Sequence, residues 1–223
     1  MAQHISIEGP IGVGKTTLVR SFEKRPGTRI LLDVSDNPFL DDFYRDRPSA
    51  AFRTQMYFLA SRFQQQSEAE ALLARESILI CDYLFARDKI FAYLNLDDQE
   101  ILVYDRLFGA LTRHVRVPDL VVYLKAPRDV LVERLRRRNI AYESKISEQY
   151  LDHLIEAYDH FFYHYKESAL LIVDTSQIDF VEDEEDLKAL QRRITGGNVR
   201  GIQYYHPIRK RKSIELPARG VRL

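Results

Sequence analysis

Short apolar runs alternate with longer segments of helical periodicity along most of the chain. Five of these runs predict strands, at residues 4–8, 29–32, 77–81, 120–124 and 170–173. The runs at 77–81 and 120–124 lack polar alternation, which is typical of strands covered on both faces. The intervening segments predict helices at about 15–23, 39–44, 50–73, 85–93, 98–111, 130–138, 147–166 and 184–194. This alternation predicts an α/β fold, with a five-stranded parallel sheet and helices on both faces.

A glycine-rich segment joins the first predicted strand to the first predicted helix. It reads Gly9-Pro10-Ile11-Gly12-Val13-Gly14-Lys15-Thr16, followed by Thr17. The spacing is that of a complete phosphate-binding P-loop, in the strand-to-helix context that the motif requires. Glycines let backbone N–H groups turn toward phosphate oxygens, Lys15 can reach the outer phosphates, and the Thr16 hydroxyl can ligate Mg²⁺. Residues 9–17 are therefore predicted to bind ATP.

The surrounding sequence narrows the class of P-loop protein. The chain has no N-K-x-D motif, which a guanine-specific switch protein would need, and a single acid, Asp82, follows the third predicted strand. A motor-type ATPase usually has an acidic pair there. A small kinase fits the length of 223 residues better.

Composition and charge exclude several other classes. Cys81 is the only cysteine, so no intramolecular disulfide can form, and no apolar run approaches the ~20 residues of a membrane span. With no secretory signal visible, a cytoplasmic protein is expected. The net charge is zero, but residues 196–223 carry seven Lys or Arg and one acid, Glu215. The rest of the chain is correspondingly acidic, which argues against nucleic acid as its main ligand.

Further segments resemble the deoxyribonucleoside kinase family, in particular its bacterial deoxyadenosine/deoxyguanosine kinase branch. Their joint order carries the resemblance, which covers about residues 4–194. Besides the P-loop they are Asn37-Pro38-Phe39-Leu40 with Phe43-Tyr44, Gln55-Met56-Tyr57-Phe58-Leu59 with Ser61-Arg62, Asp82-Tyr83-Leu84-Phe85 with Ile90-Phe91-Ala92, Pro118 to Leu124, Arg134 to Arg138 with Tyr142-Glu143, and Asp179-Phe180.

The resemblance implies a P-loop, NMP-kinase-like three-layer fold. It also implies transfer of the ATP γ-phosphoryl group to the 5′-hydroxyl of a deoxynucleoside, with deoxyadenosine or deoxyguanosine favoured, in nucleotide salvage. ATP and Mg²⁺ are the implied cosubstrate and metal, and a homodimer is the implied assembly. The kinase domain would span residues 1–195, with a lid at about 134–145. Gly196-Gly197 would mark the start of a basic C-terminal tail over 196–223.

Catalytic residues are expected at the ends of predicted strands and in the lid. The family's acidic base follows the second strand, where this chain has Asp33, with Asp36 three residues on. The family's acid after the third strand contacts the Mg²⁺ shell or the attacking hydroxyl. It corresponds to Asp82, which is expected to bind Mg²⁺ together with Thr16, and Arg87 in the next turn is expected to supply the positive charge that many relatives carry directly after this acid. Arg134, Arg137 and Arg138 share one helix face by their spacing. The resemblance implies that Arg134 and Arg138 clamp the transferred phosphoryl group.

The nucleoside pocket is assigned by resemblance and by intervals along the chain. Tyr44 and the lid residue Glu143 correspond to the pair that shares the sugar 3′-hydroxyl, and Gln55 to the reader of the base edge. Gln55 offers a donor and an acceptor side by side, which suits adenine or its equivalents. Arg62 lies on the same helix face as Gln55, with Asp88 as its expected partner and Arg87 as the rival. Phe180 corresponds to the border of the ATP adenine.

Two other functions stay open at this point. A nucleoside monophosphate kinase of the thymidylate type shares the fold, but it needs added cations for the acceptor phosphate, and the Tyr44/Glu143 pair disfavours it. A non-catalytic nucleotide-binding regulator has no need for a complete set of P-loop lysine, hydroxyl, base and lid. The preferred base among adenine, guanine and cytosine is not fixed by these residues.

Overall fold

The computed structural model describes residues 3–45, 47–138, 146–178, 180 and 183–207. Within these residues, one sheet of six strands has the order β2-β3-β1-β4-β5-β6, and every neighbouring pair is parallel. The strands are β1 (Gln3–Glu8), β2 (Thr28–Leu31), β3 (Ile78–Cys81), β4 (Leu120–Lys125), β5 (Ala169–Asp174) and β6 (Ile202–Tyr205). The predicted α/β fold with a parallel sheet is confirmed, but the expected number of five strands is wrong.

Helices connect the strands and cover the sheet. They are α1 (Lys15–Arg20), α2 (Leu40–Tyr44), α3 (Ala50–Ser67), α4 (Ala69–Leu73), α5 (Asp88–Asn95), α6 (Asp98–Leu111), α7 (Arg128–Arg138), α8 (Glu148–His164) and α9 (Glu184–Thr195). Short 3₁₀ turns cover Phe85–Arg87 and Thr112–His114. The predicted helix at 85–93 thus begins with a 3₁₀ turn, which sets the directions of Arg87 and Asp88.

Strand β4 shows how both sheet faces are covered. Val122 packs in a buried cluster with Leu18 of α1 and Leu190 of α9, whereas Val121 and Tyr123 pack with Leu154 and other residues of α8. Successive side chains of a strand point to opposite faces. The absence of polar alternation in this strand therefore follows from burial on two sides.

The sixth strand lies beyond the predicted domain boundary. Residues 202–205 pair in parallel with β5, with Leu170 opposite Ile202 and Val173 opposite Tyr205. Residues 202–205 therefore belong to the sheet, and any tail begins after them. As an edge strand, β6 has half-exposed positions, so it lacks the apolar run that marked the buried strands. Residues 208–223 of the predicted tail lie outside the described residues.

No helix among the described residues has the length and apolar character needed to cross a membrane.

Candidate active site

A cavity of about 810 Å³ lies at the carboxyl ends of the central strands. At one end it is lined by the P-loop, and at the other by α3 and the segment before α5. Ligands of open α/β sheets bind at this edge, because the loops after the parallel strands converge there. The lining residues that the sequence analysis had selected are Ile11, Gly12, Val13, Gly14, Lys15, Thr16, Thr17, Asp33, Tyr44, Gln55, Arg62, Asp82, Arg87, Arg134, Arg138 and Phe180.

The P-loop depends on glycine at its last turn. Gly14 has φ +102°, and a Cβ atom there would lie 2.7 Å from the Phe180 ring. Phe180 is 2% exposed, so it serves as packing beneath the loop as well as lining the cavity. Its predicted stacking on an ATP adenine stays a prediction.

Lys15 lies folded back on its own loop. Its Nζ donates hydrogen bonds to the carbonyl oxygens of Gly9 at 2.6 Å and Pro10 at 3.1 Å. Burial lowers the pKa of Lys15 from 10.5 to about 8, although Glu8 acts in the opposite direction. A phosphate in the loop would supply the negative charge that favours the protonated amine.

Thr16 and Asp82 meet below the P-loop. The Thr16 hydroxyl donates to Asp82 Oδ2 at 2.8 Å, and the main-chain N–H of Asp33 donates to Asp82 Oδ1. Asp82 is 3% exposed, and this burial is the main reason that its pKa is raised. A hydroxyl and a carboxylate oxygen at this distance form a hard donor pair that fits Mg²⁺, which usually takes one or two carboxylates together with substrate phosphates.

Asp33 is held between two arginines. Arg62 makes a two-pronged pair with it, from Nε to Oδ1 and from Nη2 to Oδ2, both at 2.8 Å, and Arg87 Nη2 also donates to Oδ2. Burial raises the pKa of Asp33, but Arg62 and Arg87 outweigh it and lower the value to about 2. Asp36, the alternative base, is exposed. Of these two carboxylates, Asp33 is the one that lines the cavity.

At the other end of the cavity Gln55 and Arg62 line the wall, and Asp88 holds both of them from behind. Arg62 Nη1 donates to Asp88 Oδ1, Tyr104 donates to Oδ2 at 3.0 Å, and Asp88 is fully buried. The Gln55 amide nitrogen donates to the Asp88 carbonyl at 3.0 Å and to Oδ2 at 2.6 Å. Asp88 is thus the partner of Arg62. Because the Gln55 amide nitrogen donates to Asp88, the side-chain carbonyl oxygen of Gln55 is the group that can accept a hydrogen bond from a ligand.

Arg87 is not the partner of Arg62. Its guanidinium lies against Glu8 and Asp33, next to the P-loop, on the side where a positive charge was expected to accompany Asp82. The 3₁₀ turn that ends at Arg87 directs its side chain toward the P-loop, whereas Asp88 begins α5 and faces α3. Arg87 still lines the cavity.

Three polar residues of this site were not predicted from the sequence. Glu8, Tyr104 and Tyr158 are each 0% exposed, and each contacts one of the carboxylates or arginines described above. A glutamate at the end of an apolar strand, directly before a P-loop, was an available signal for Glu8. The two tyrosines lie in amphipathic helices, where nothing distinguishes them from ordinary core residues.

The lid arginines differ in their surroundings. Arg134 donates to Thr175 Oγ1 at 3.0 Å, to the Thr175 carbonyl at 2.8 Å and to the Ile178 carbonyl at 3.2 Å. It thereby connects α7 to the loop after β5. Arg138 is exposed at the mouth of the cavity. Residues 139–145, which include Glu143 and most of the predicted lid, lie outside the described residues.

Comparisons with known proteins identify deoxynucleoside kinases. The deoxynucleoside kinase family matches residues 5–196. A deoxyguanosine kinase of Bacillus subtilis is 31% identical over 199 residues, which cover 86% of this chain and 96% of that protein. A deoxyadenosine kinase of Dictyostelium discoideum is 37% identical over 164 residues, 71% of this chain and 66% of that protein.

A solved structure shares the fold. The deoxyadenosine kinase from M. mycoides, determined with bound dATP, superposes with a TM-score of 0.71 at 22% identity, covering 86% of this chain and 98% of that one. The family match over residues 5–196 spans the P-loop, the acids after β2 and β3, and Gln55 and Arg62 of α3. This chain therefore belongs to the deoxynucleoside kinase family.

Proposed function

We propose that the chain transfers the γ-phosphoryl group of ATP to the 5′-hydroxyl of a purine deoxynucleoside, deoxyadenosine or deoxyguanosine. Family membership makes the chain a deoxynucleoside kinase, and the proposal adds the donor, the preferred acceptors and the roles of individual residues. One observation carries it. A single cavity joins the P-loop to the Gln55–Arg62–Asp88 group, and Asp33 lies between the two ends.

The donor half of the site rests on the P-loop. Its backbone N–H groups and Lys15 would surround the ATP phosphates. Thr16 and Asp82 are the residues that would hold Mg²⁺, which neutralises charge on the phosphate oxygens when bound. Asp82 also receives the Asp33 N–H, so the proposed metal ligand and the proposed base are held in fixed relation to each other.

Asp33 is the proposed general base. Its low pKa, caused by Arg62 and Arg87, makes it a weak proton acceptor before reaction. Phosphoryl transfer passes through a loose transition state in most descriptions, so the attacking hydroxyl becomes strongly acidic only late. A carboxylate that orients the hydroxyl and accepts its proton late is sufficient, which matches the charge and the position of Asp33.

The two arginines of the lid helix have separate proposed roles. Arg138, exposed at the cavity mouth, is proposed to clamp the transferred phosphoryl group. Arg134 is proposed to assist from the wall of the ATP pocket, because main-chain oxygens at Thr175 and Ile178 already hold it. Glu143 is proposed to share the sugar 3′-hydroxyl with Tyr44, which lines the cavity at the end of α2.

The acceptor half of the site suits a base that carries both hydrogen-bond donors and acceptors. The Gln55 carbonyl oxygen can accept from an exocyclic amino group or a ring N–H, and Arg62 can donate to a ring nitrogen or a carbonyl. Adenine and guanine each satisfy this pattern with different edges. The named activities of the Bacillus and Dictyostelium relatives support these two bases for this chain.

The remaining proposals concern assembly and extent. The kinase unit is proposed to run from residue 1 to β6, with the basic segment beyond it as an appendage that does not bind nucleic acid. A homodimer in the cytoplasm is proposed from the family resemblance.

A substrate panel tests the proposal. Release of ADP is followed in a coupled assay with each of the four deoxynucleosides, their ribose counterparts and dTMP, with and without Mg²⁺. We expect turnover with deoxyadenosine and deoxyguanosine, dependent on Mg²⁺. Turnover with dTMP and with no nucleoside would refute the proposal in favour of a monophosphate kinase.

A pair of variants tests the assignment of Asp33 as the general base. Asp33→Asn is expected to lower kcat at least about 100-fold while ATP binding persists, because general base catalysis contributes about 10²–10⁴-fold. Asp36→Asn, an equal change at an exposed carboxylate three residues away, is the matched control and should retain kcat. The opposite outcome would transfer the base role to Asp36.

A further inference from the structure

A buried polar cluster of Glu8, Arg87 and Tyr158 lies beside Asp33. Glu8 and Tyr158 are 0% exposed and Arg87 is 4% exposed. Glu8 ends β1, directly before the P-loop, whereas Tyr158 lies on α8, 150 residues away in sequence. The three side chains come together only because α8 packs across the face of β4 and β1.

Every oxygen of Glu8 is engaged. Oε1 accepts from the Gly9 N–H at 2.9 Å and from the Tyr158 hydroxyl at 3.0 Å, and Oε2 accepts from the Leu84 N–H at 2.8 Å. Arg87 Nε lies 3.2 Å from Oε2 as an ion pair, although it forms no hydrogen bond among the described residues. A buried charge is tolerated only when it is paired and hydrogen-bonded. Glu8 therefore anchors Arg87 to the start of the P-loop.

Tyr158 completes this anchor. Its hydroxyl accepts from Arg87 Nη1 at 3.4 Å and donates to Glu8 Oε1 at 3.0 Å. Its ring stacks on Tyr123 at 6.1 Å and meets the Phe91 ring edge-on at 6.3 Å. Packing on both sides fixes the ring, so the hydroxyl is a rigid partner for both charged groups.

The Arg87 guanidinium transmits this rigidity to Asp33. One of its nitrogens contacts Asp33 Oδ2, while the other two face Tyr158 and Glu8. On its other side Asp33 is held by Arg62, which Asp88 anchors in turn. Without Tyr158 as an acceptor, one buried N–H of Arg87 loses its partner, and the cation can shift from Asp33.

We propose that Tyr158 is a positioning residue for the kinase reaction, acting through Glu8 and Arg87 on Asp33. The inference rests on the proposed role of Asp33 as the base. Tyr158 touches neither substrate in this arrangement, since it does not line the cavity. Its removal should therefore change kcat and leave substrate affinity intact.

Tyr158→Phe tests the inference with a matched control. The variant keeps the ring and removes one oxygen. Tyr123→Phe removes the same atom from the ring stacked on Tyr158, but the Tyr123 hydroxyl donates to Asp159, whose side chain is 42% exposed. We expect Tyr158→Phe to lower kcat about 10-fold, because displacements of about 1 Å can cost 10²-fold. KM for nucleoside and ATP should stay within about twofold, and Tyr123→Phe should retain kcat.

The outcomes separate this inference from the proposed function. If Asp33→Asn retains turnover, the base assignment fails and the positioning role of Tyr158 fails with it. If Asp33→Asn is inactive and Tyr158→Phe keeps wild-type kcat, only the role of Tyr158 is overturned. An equal loss of kcat in Tyr123→Phe would also overturn it, since ring packing would then be the cause.

Thermal unfolding of each variant shows whether it folds. Should Tyr158→Phe not fold, Glu8→Gln provides the second test, because it removes the charge that anchors Arg87 while keeping an acceptor for the Gly9 N–H. The same loss of kcat with unchanged KM is expected. Wild-type kcat in Glu8→Gln would overturn the proposal.

Discussion

His4 offers a quantitative test of how burial controls ionisation at the centre of the sheet. Its side chain in β1 is 1% exposed, Nε2 lies 3.4 Å from Cys81 Sγ, and Nδ1 has no hydrogen-bond partner among the described residues. Burial lowers the pKa of His4 from 6.5 to about 4, and it outweighs the opposite influence of Asp119. Folding therefore disfavours the protonated ring.

The sign of the effect follows from proton linkage. As the pH falls below 6.5, the unfolded chain binds a proton at His4 that the folded chain does not bind until about pH 4. The unfolded state is thereby favoured, so this contribution to stability is complete above pH 6.5 and decreases toward pH 4. One pKa unit corresponds to about 1.4 kcal/mol, which gives about 3 kcal/mol in total and about 2 kcal/mol between about pH 7.5 and about pH 5.

His4→Leu removes the titrating ring and keeps an apolar side chain of similar size. Urea unfolding, followed by circular dichroism at both pH values, gives the free energy of unfolding of each protein. The wild type is expected to lose about 2 kcal/mol more than the variant on going to the lower pH. His153→Gln, which changes an exposed histidine of α8, is the control and should follow the wild type. If His4→Leu loses as much stability as the wild type, burial of His4 does not set this pH dependence.

Three further predictions concern the P-loop, the proposed metal ligand Asp82 and the edge strand β6. Gly14→Ala should weaken ATP binding at least about 10-fold and destabilise the fold, because φ of Gly14 is +102° and the added Cβ would lie 2.7 Å from Phe180. Gly109→Ala in α6 is the control: its Cβ would meet nothing within 4 Å, so thermal unfolding should show the protein stabilised by up to about 1 kcal/mol. Asp82→Asn should raise the Mg²⁺ concentration for half-maximal activity about 10-fold or more, and an unchanged value in a Mg²⁺ titration would exclude Asp82 as a ligand. A chain ending at Gly197 should unfold at a lower temperature than one ending at Pro207, because it loses β6 and its pairing with β5; equal unfolding temperatures would show that β6 adds no stability.

The sequence by itself determined the architecture of the chain and the phosphate end of its site. Apolar runs without alternation are typical of strands covered on both faces, and the P-loop joined an apolar strand to a helix. These signals are local, because each depends only on residues that are close together along the chain. The strand β6 was missed because it is a half-exposed edge strand of four residues, and Gln203 interrupts the apolar run that marked the buried strands.

Only the tertiary structure decided which charges meet. Asp33, Arg62 and Asp88 lie in three separate segments, and their order along the chain does not say that Arg62 bridges the two carboxylates. The choice between Arg87 and Asp88 depended on a 3₁₀ turn that ends at Arg87: Arg87 contacts Glu8 and Asp33, whereas Asp88 contacts Arg62. Tyr158 joined the site because α8 packs over the sheet. Buried polar contacts of this kind arise from packing between distant elements, and composition and periodicity carry no information about such contacts.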